Sequence, residues 1–357
     1  MRLPSFALRC LTILGFGAFA LSGCSTELDP NADYKETMVI YSLLNPEDSI
    51  HYVKVNKAFL NTKSNAVTIA ASNLDSATFR PEDLTVRLER LKEDSTVLNT
   101  YKLEPYFSKD KKPGAFFSDS TILYRTKPNE PGKLDVNSIY RVVATSHKTG
   151  ISASGATPMV KTGPFCIYRV SEKMTPSSVC FGANETPASS PYSPDKPGNS
   201  IMFVPPVNAY IYSARIDFYY TETTNGVSQD KVAFWYVRSN EPHPTNPQNG
   251  IITYPIEDNS FYVNVANQIN TQNDNATTKR YINERVKITL TAGSELLALN
   301  YRARSSYSIY SQTRPELKNV KNGYGIVTSR IQKEVYAYLT PTAKDVLKRN
   351  SKLKFVQ

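Results

Sequence analysis

The sequence contains few of the side chains that bind metal ions or act as nucleophiles, with 3 histidines and 4 cysteines among 357 residues. His51, His147 and His243 fall in a predicted strand, a turn and a proline-rich loop. No metalloprotease, serine-hydrolase, nucleotide-binding or calcium-loop motif occurs in the sequence. We therefore predict a protein that is not an enzyme and needs no cofactor or metal. A catalytic triad assembled from distant residues stays the alternative.

Long apolar runs are also scarce, and the clearest one, Leu11 to Leu21, lies near the N-terminus. It follows Arg2 and Arg9 and is too short to span a bilayer comfortably, as in a signal peptide. It leads into Leu-Ser-Gly-Cys, the pattern of a bacterial lipobox, in which the cysteine thiol takes a diacylglycerol. We predict that residues 1–23 are a signal peptide and that Cys24 is lipidated. The alternative is an ordinary signal peptide or anchor helix with an incidental cysteine.

A lipid on Cys24 would attach the mature chain to a membrane, because each buried methylene contributes about 0.8 kcal/mol. Residues 24–35 are polar and are predicted to form a tether. Glu27 and Asp29 resemble the acidic signal that sends Bacteroidota lipoproteins to the cell surface. We expect an outer-membrane, lipid-anchored protein that is exposed at the cell surface.

Two cysteines remain after the lipid site, Cys166 and Cys180. In an oxidising compartment their spacing favours a disulfide, which would stabilise the fold by about 3 kcal/mol in the chain-entropy model. Two free thiols are the alternative. No histidine lies nearby in the sequence, so the pair is not expected to bind a metal.

Positive charge is in excess but is spread along the chain. The formal net charge is +10, which falls to +8 when Arg2 and Arg9 leave with the signal peptide. No basic helix, zinc-ligand spacing or stacking motif accompanies this charge. The sequence therefore argues against nucleic-acid binding.

The first half of the chain shows little helical periodicity and many short alternations of apolar and polar residues. Leu84, Val86 and Leu88 alternate with polar side chains, which is typical of a half-buried strand. Tyr140 opens a later strand, where immunoglobulin-like folds place a corner tyrosine whose hydroxyl bonds to the preceding loop. We predict an immunoglobulin-like β-sandwich over residues 36–160.

The second half, residues 165–357, is predicted to form a second β-rich domain. Runs typical of strands are separated by proline-rich loops, and they include residues 209–220, 231–237 and 260–265. The predicted fold is therefore mainly β throughout.

Two helices are expected in this second half. Thr340 followed by Pro341 is typical of a helix start, since threonine caps the helix and proline fits its first turn. This predicts a short C-terminal helix over 341–349 with Val346 and Leu347 facing inward. A further helix is expected within residues 294–312.

Three short segments resemble a family of two-part surface lipoproteins from Bacteroidota. They are the opening strand 38–46 (MVIYSLLNP), the hairpin that ends at residues 156–158 (ATP), and residues 319–327 (NVKNGYGIV). Val327 departs from the pattern, because that family has an aromatic residue there. These lipoproteins carry a domain of unknown function and are typically encoded beside TonB-dependent outer-membrane receptors. The resemblance implies an outer-membrane β-barrel as partner.

The Asn-Gly-Tyr-Gly stretch in the third segment has a simple structural interpretation. Asn322, Gly323 and Gly325 tolerate positive φ, so the chain can turn tightly beside the next strand. No strand-then-helix pattern of a nucleotide site surrounds it. We expect a turn rather than a phosphate-binding loop.

Four Asp-Ser pairs resemble the O-glycosylation signal of exported Bacteroidota proteins. Their serines all fall in predicted turns or loops, where a glycan fits: Ser49, Ser76, Ser95 and Ser120. Because a three-residue pattern also occurs by chance, we expect only some of the four to be modified.

The leading hypothesis is a non-enzymatic accessory or ligand-binding partner of an outer-membrane β-barrel, such as a TonB-dependent receptor. One alternative is a fimbrial or adhesin subunit, which would exchange a terminal strand between subunits. Another is a lipoprotein that binds a glycan on exposed aromatic rings, and a peptide ligand is a further candidate. The candidate rings are Tyr301, Tyr307 and Tyr310, or Trp235 and Tyr236.

Overall fold

The computed structural model describes residues 37–58, 78–109, 121–161, 178–179, 200–242, 250–256, 259–305 and 317–356. Strands dominate these residues, so the predicted mainly β fold is confirmed. The strands form a ten-stranded sheet, a five-stranded sheet and a separate two-stranded sheet.

The first half of the chain folds as a β-sandwich. Its strands are β1 (Thr37–Leu44), β2 (Tyr52–Ala58), β3 (Leu84–Leu91), β4 (Val97–Lys102), β5 (Glu104–Ser108), β6 (Thr121–Arg125), β7 (Ile139–Ser146) and β8 (Ser152–Pro158). One layer has the order β1-β2-β6-β5 and the other has the order β8-β7-β3-β4. The immunoglobulin-like form of this sandwich stays a prediction.

The alternation of side chains along each strand decides which face is buried. In β3, Leu84, Val86 and Leu88 point into the core and are at most 5% exposed, as the sequence predicts. Met38 and Ile40 of β1 reach the same core from the facing layer. Each such fully buried aliphatic side chain contributes about 1.5–3 kcal/mol to stability.

Tyr140 has the role that its position in the sequence predicts. Its ring is buried at the start of β7, and its hydroxyl accepts a hydrogen bond from the backbone N–H of Asp135 at 3.0 Å. The Asp135 carboxylate accepts a hydrogen bond from Ser138 Oγ at 2.9 Å and pairs with Arg90. The loop before β7 is thereby fixed to the core.

The described residues of the second half form longer strands and three helices. The strands are β9 (Ser178–Val179), β10 (Ser200–Phe203), β11 (Ile211–Thr224), β12 (Val227–Pro242), β13 (Ile252–Pro255), β14 (Lys279–Gly293), β15 (Val320–Lys321), β16 (Gly323–Leu339) and β17 (Phe355–Val356). The helices are α1 (Ser260–Gln268), α2 (Glu295–Ser305) and α3 (Pro341–Arg349). A second core lies on one face of the sheet β12-β11-β14-β16, against the β10–β13 pair, α1 and α3.

Strand β16, which we call the spine strand, connects the two halves. Its first part, from Gly323 to Ser329, pairs in parallel with β1, and the rest pairs antiparallel with β14. At about 3.3 Å per residue, its 17 residues extend about 55 Å. Val327 enters the first core, and Ile331 and Ala337 enter the second. One strand therefore belongs to both cores.

The sandwich is not complete without residues that the sequence placed in the second half. Val320 and Val327 pack within the first core, and β15 pairs with β8. The domain boundary between residues 36–160 and 165–357 stays a prediction. Residues 320–329, however, pair with strands of the sandwich.

One predicted strand is wrong, because residues 260–268 form helix α1. Phe261, Val263 and Val265 alternate as they would in a strand, which misled the sequence interpretation. In the helix Phe261 and Val265 lie one turn apart and are buried, whereas Val263 is 54% exposed. Short apolar runs fit both the two-residue period of a strand and the 3.6-residue period of a helix, and here tertiary packing selects the helix.

The two predicted helices are confirmed. Helix α3 spans Pro341–Arg349, and the Thr340 side chain caps it by accepting a hydrogen bond from the Ala343 N–H. Leu347 faces inward as predicted, but its buried neighbour on that face is Ala343, while Val346 is half-buried. Helix α2 lies within the range expected for the other helix.

Candidate functional site

Several predicted sites lie outside the described residues: the signal peptide 1–23, the tether 24–35 with Cys24, and Cys166, Cys180, Ser76, Ser120, Tyr307 and Tyr310. Lipidation, the disulfide and glycosylation at those two serines stay predictions.

The other two candidate glycosylation sites lie in exposed turns. Ser49 follows β1, and Ser95 lies between β3 and β4 with a φ of 68°. Both hydroxyl-bearing residues are therefore accessible to a modifying enzyme. Their modification itself stays a prediction.

The aromatic residues proposed to bind a glycan do not form a flat platform in the described part of the chain. Trp235 and Tyr236 are neighbours on a strand, so they point to opposite faces; Trp235 packs against the second core and Tyr236 is 45% exposed. The ring beside Tyr236 is Phe234, at an angle of 83° to it. Tyr301 is 37% exposed on α2.

A groove lies on the outer face of the sandwich, between β1, the spine strand and helix α2. Because side chains alternate along β1, burial of Met38 and Ile40 leaves Tyr41 and Leu43 facing outward, 44% and 40% exposed. The groove has a volume of about 440 Å³, within the usual range for ligand pockets. Its apolar lining consists of Tyr41, Leu43, Ile50, Tyr52, Leu123, Leu297 and Ile326.

The strand register determines which residues are neighbours on the floor of this groove. Tyr41 lies between Lys54 of β2 and Ile326 of the spine strand, and Leu43 lies beside Thr328. Arg330 follows at the end of the floor, one residue beyond the pairing of β1 with the spine strand. His51 immediately precedes β2, which runs antiparallel to β1, so it lies at the same end as Arg330.

The imidazole of His51, a residue that borders the end of this groove, has one nitrogen without a hydrogen-bond partner. The side chain is 2% exposed, and Nε2 lies 2.8 Å from the carbonyl oxygen of Gly132. A carbonyl oxygen only accepts, so Nε2 carries the proton and neutral Nδ1 is an acceptor. Nδ1 is buried without a hydrogen-bond partner.

Burial also keeps His51 neutral. Desolvation lowers its pKa below the ordinary 6.5, and this effect outweighs the opposing influence of the Gly132 hydrogen bond and the nearby Asp48 charge. Asp48 lines the same end of the groove, and its carboxylate accepts a hydrogen bond from Asn45 Nδ2 at 2.7 Å.

Arg330 brings a positive charge without an ion-pair partner to the groove. The side chain is half-buried, and its Nε is buried without a hydrogen-bond partner. Among the described residues no acidic side chain pairs with it. Its two terminal nitrogens, unlike Nε, are accessible to solvent and can donate hydrogen bonds to an anion in the groove.

Arg280, in contrast to Arg330, is an arginine whose charge is fully paired within the fold. Arg280 is 0% exposed and pairs with Glu222 and Asp274, each at 2.7 Å. It also donates to the carbonyl oxygen of Leu353 at 2.9 Å. Hydrogen bonds from Arg280 lower the pKa of Asp274. This network is structural, because its members satisfy one another and none of them faces the groove.

The Asn-Gly-Tyr-Gly stretch is structural, as the sequence predicts. Asn322 and Gly325 have φ values of 56° and 103°. Just before it, Asn319 accepts a hydrogen bond from the Val327 N–H at 2.9 Å and donates to the carbonyl oxygen of Ala156 at 2.8 Å. The segment thereby ties the spine strand to β8.

The sequence interpretation did not find the groove, although β1 contained a signal. Residues 38–44 (MVIYSLL) are apolar at nearly every position, whereas a strand with one face in water should alternate. That excess of apolar side chains marks the outer face on which Tyr41 and Leu43 lie. No local sequence pattern indicates that Arg330 and His51 border the groove, because they come from distant segments of the chain.

Comparison with protein-family models and with curated proteins gave no match for this chain. The resemblance to Bacteroidota surface lipoproteins therefore stays a prediction. In the described ranges no helix is long and apolar enough to cross a bilayer. In those same ranges no three histidine, cysteine, aspartate or glutamate side chains cluster as metal ligands.

Proposed function

We propose that this chain is an outer-membrane lipoprotein, anchored through Cys24 and exposed at the cell surface. It acts without catalysis, as an accessory or ligand-binding partner of an outer-membrane β-barrel such as a TonB-dependent receptor. The observation that carries the proposal is the exposed apolar groove beside the spine strand, with the unpaired Arg330 at one end.

The position of the tether agrees with this function. Thr37 opens β1 only 13 positions after Cys24, so an extended tether reaches at most about 45 Å. The spine strand starts beside the first residues of β1 and leads to the second half of the chain. The groove is therefore on the sandwich that directly follows the tether, within reach of a protein in the same membrane.

The strand order supports an immunoglobulin-like module for the first half. The layers β1-β2-β6-β5 and β8-β7-β3-β4 correspond to the A-B-E-D and G-F-C-C′ orders of that fold. Such sandwiches commonly serve as binding modules on cell surfaces, but fold alone does not define a function. The argument for binding therefore depends on the groove.

The anchor is tested by Cys24→Ala. The variant should move from the membrane fraction to the soluble fraction, while protease added to intact cells should cleave the native protein. Retention of the variant in the membrane, or full protection of the native protein, would contradict the anchor or the surface location respectively.

The partner is tested by copurification in mild detergent with an affinity tag at the C-terminus. We expect a β-barrel, recognised by its heat-dependent migration on gels, to copurify with the native chain. Leu43→Arg places a charge in the groove and should abolish copurification. Val227→Arg, at a 63% exposed position on β12, should not. A protein that elutes alone, or a ladder of its own oligomers, would contradict the proposal.

A further inference from the structure

The two ends of the sandwich carry opposite charge. One end, which we call the tether end, is formed where β1 and β3 start, β2 ends and β7 turns into β8, together with the segment that leads into the spine strand. Its described residues, 57–58, 78–83, 147–151 and 317–324, include five basic and two acidic side chains. The turns at the far end, residues 45–51, 92–96 and 126–138, include three basic and six acidic side chains. The sandwich is therefore positive at the end where β1 begins.

Ion pairs within the tether end leave most of its positive charge available. Asp83 already pairs with Lys148 at 2.8 Å. Lys318 and Lys321 are exposed, and neither has an acidic partner within the described ranges. These two lysines can therefore contact an anion outside the molecule.

The cations of the tether end are spread over a surface. Lys57 pairs with Met38, and Met38 pairs on its other side with Gly323, so two strand spacings of about 10 Å in total separate the outer strands. Lys321 pairs with Ser154 of the facing layer, and two such layers pack about 10 Å apart. This spacing matches an extended anionic surface better than one small anion.

A tyrosine at the tether end suits the headgroup layer of a membrane. Tyr324 is 44% exposed, and Lys318 Nζ lies 4.1 Å from the centroid of its ring. Both side chains line a hollow of about 530 Å³ together with Thr37, the first residue of β1. Tyrosine rings and long lysine stems are favoured at membrane interfaces, because each joins an apolar body to a polar tip.

The lipid anchor would hold this end close to the bilayer. Thr37 follows Cys24 by only 13 positions, and a flexible chain of that length has an end-to-end distance of about 20 Å. Such a tether raises the local concentration of the lysines at the membrane, so a modest attraction is sufficient.

We propose that the tether end docks on the anionic phospholipid headgroups of the membrane that holds Cys24. Lys318 and Lys321 contact the phosphates, and Tyr324 lies at the level of the headgroups. This deepens the proposed function and rests on its lipid anchor for its biological role, whereas the surface itself is tested without the lipid.

The first test measures binding of the mature chain without its lipid, residues 25–357, which keeps every described residue. It is sedimented with vesicles of phosphatidylcholine alone, or with about one third phosphatidylglycerol. The anionic vesicles should bind at least about tenfold more protein at low salt. This excess should disappear near 1 M salt, where the Debye length falls to about 3 Å.

Variants locate the contact on the sandwich. Lys318→Gln combined with Lys321→Gln should weaken binding to the anionic vesicles by at least about tenfold, since each lysine near an anionic surface contributes about fivefold. Lys92→Gln combined with Lys127→Gln is the matched control, because it removes the same charge from exposed positions at the far end. The control should bind as the native chain does, and melting curves show whether both variants are folded.

The orientation is tested on the lipidated protein in anionic nanodiscs. Brominated lipids should quench the added tryptophan in Tyr324→Trp. They should not quench the one in Tyr336→Trp, at a 55% exposed position of the second half. Trp235 contributes the same background to both variants.

Equal binding to the two kinds of vesicle, equal losses in the two lysine variants, or equal quenching of the two tryptophans would overturn the inference. Inorganic phosphate that releases the vesicles at an ionic strength where chloride does not would also overturn it, in favour of a site for one anion. If the vesicles bind as expected but the native protein is not anchored in cells, only the proposed anchor is wrong.

Discussion

Gly325 lies so close to Ile40 that a β-carbon at position 325 would be 2.0 Å from the Ile40 carbonyl oxygen. The two residues are partners in the parallel pairing of β1 with the spine strand. Gly325 also has a φ of 103°, a conformation that other residues rarely adopt. Only glycine therefore fits where the spine strand packs beside the first strand.

Gly325→Ala should therefore separate the spine strand from β1 and destabilise the protein by at least about 3 kcal/mol. Gly226→Ala is the matched control, because Gly226 also has a positive φ but its β-carbon would meet nothing within 4 Å. The control should cost about 1 kcal/mol from backbone strain alone. Urea unfolding measures both, and equal losses would contradict this account.

Arg280→Met should destabilise the second core by about 3–5 kcal/mol, because it leaves the Asp274 carboxylate buried without its cation. The exposed Arg285, on the same strand, stacks on Tyr338. Arg285→Met should cost less than about 1 kcal/mol. Thermal unfolding of the two variants tests the difference. Similar melting temperatures would show that the Arg280 network does not stabilise the second core.

The buried His51 predicts a loss of stability in mild acid. Its pKa lies below 6.5 in the folded protein, whereas in the unfolded chain it stays near 6.5. As the pH falls below 6.5, the unfolded chain takes up a proton that the folded protein does not, so the free energy of unfolding decreases.

His51→Gln provides the comparison, since glutamine can donate to Gly132 but does not titrate. The variant should lose part of the pH dependence between pH 7 and the lowered pKa of His51, as measured by urea unfolding at a series of pH values. An unchanged pH profile would mean that His51 ionises normally in the fold.

Tyr140→Phe removes the hydroxyl that accepts from the Asp135 N–H. It should destabilise the sandwich by about 1 kcal/mol, the usual contribution of one such hydrogen bond. Tyr336→Phe is the control, because that ring is 55% exposed. Amide hydrogen exchange should also show faster exchange at Asp135 in Tyr140→Phe; unchanged exchange there would count against the corner role.

Local features of the sequence predicted the parts of the fold that depend on neighbouring residues. The faces of β3, the corner hydroxyl of Tyr140 and the cap of α3 by Thr340 follow from alternation, turn position and capping chemistry. Helix α1 was missed, because Phe261, Val263 and Val265 fit a strand as well as a helix, and only packing excludes the strand.

The sequence by itself determined that the chain is mainly β and where its turns fall, because those properties depend on residues a few positions apart. The tertiary structure decided that Met38 pairs with Gly323, and that one long strand serves both cores. It also decided that Arg330 and His51 come to the same end of one groove. These contacts join residues from distant parts of the chain, and no local pattern specifies which distant strand becomes the neighbour.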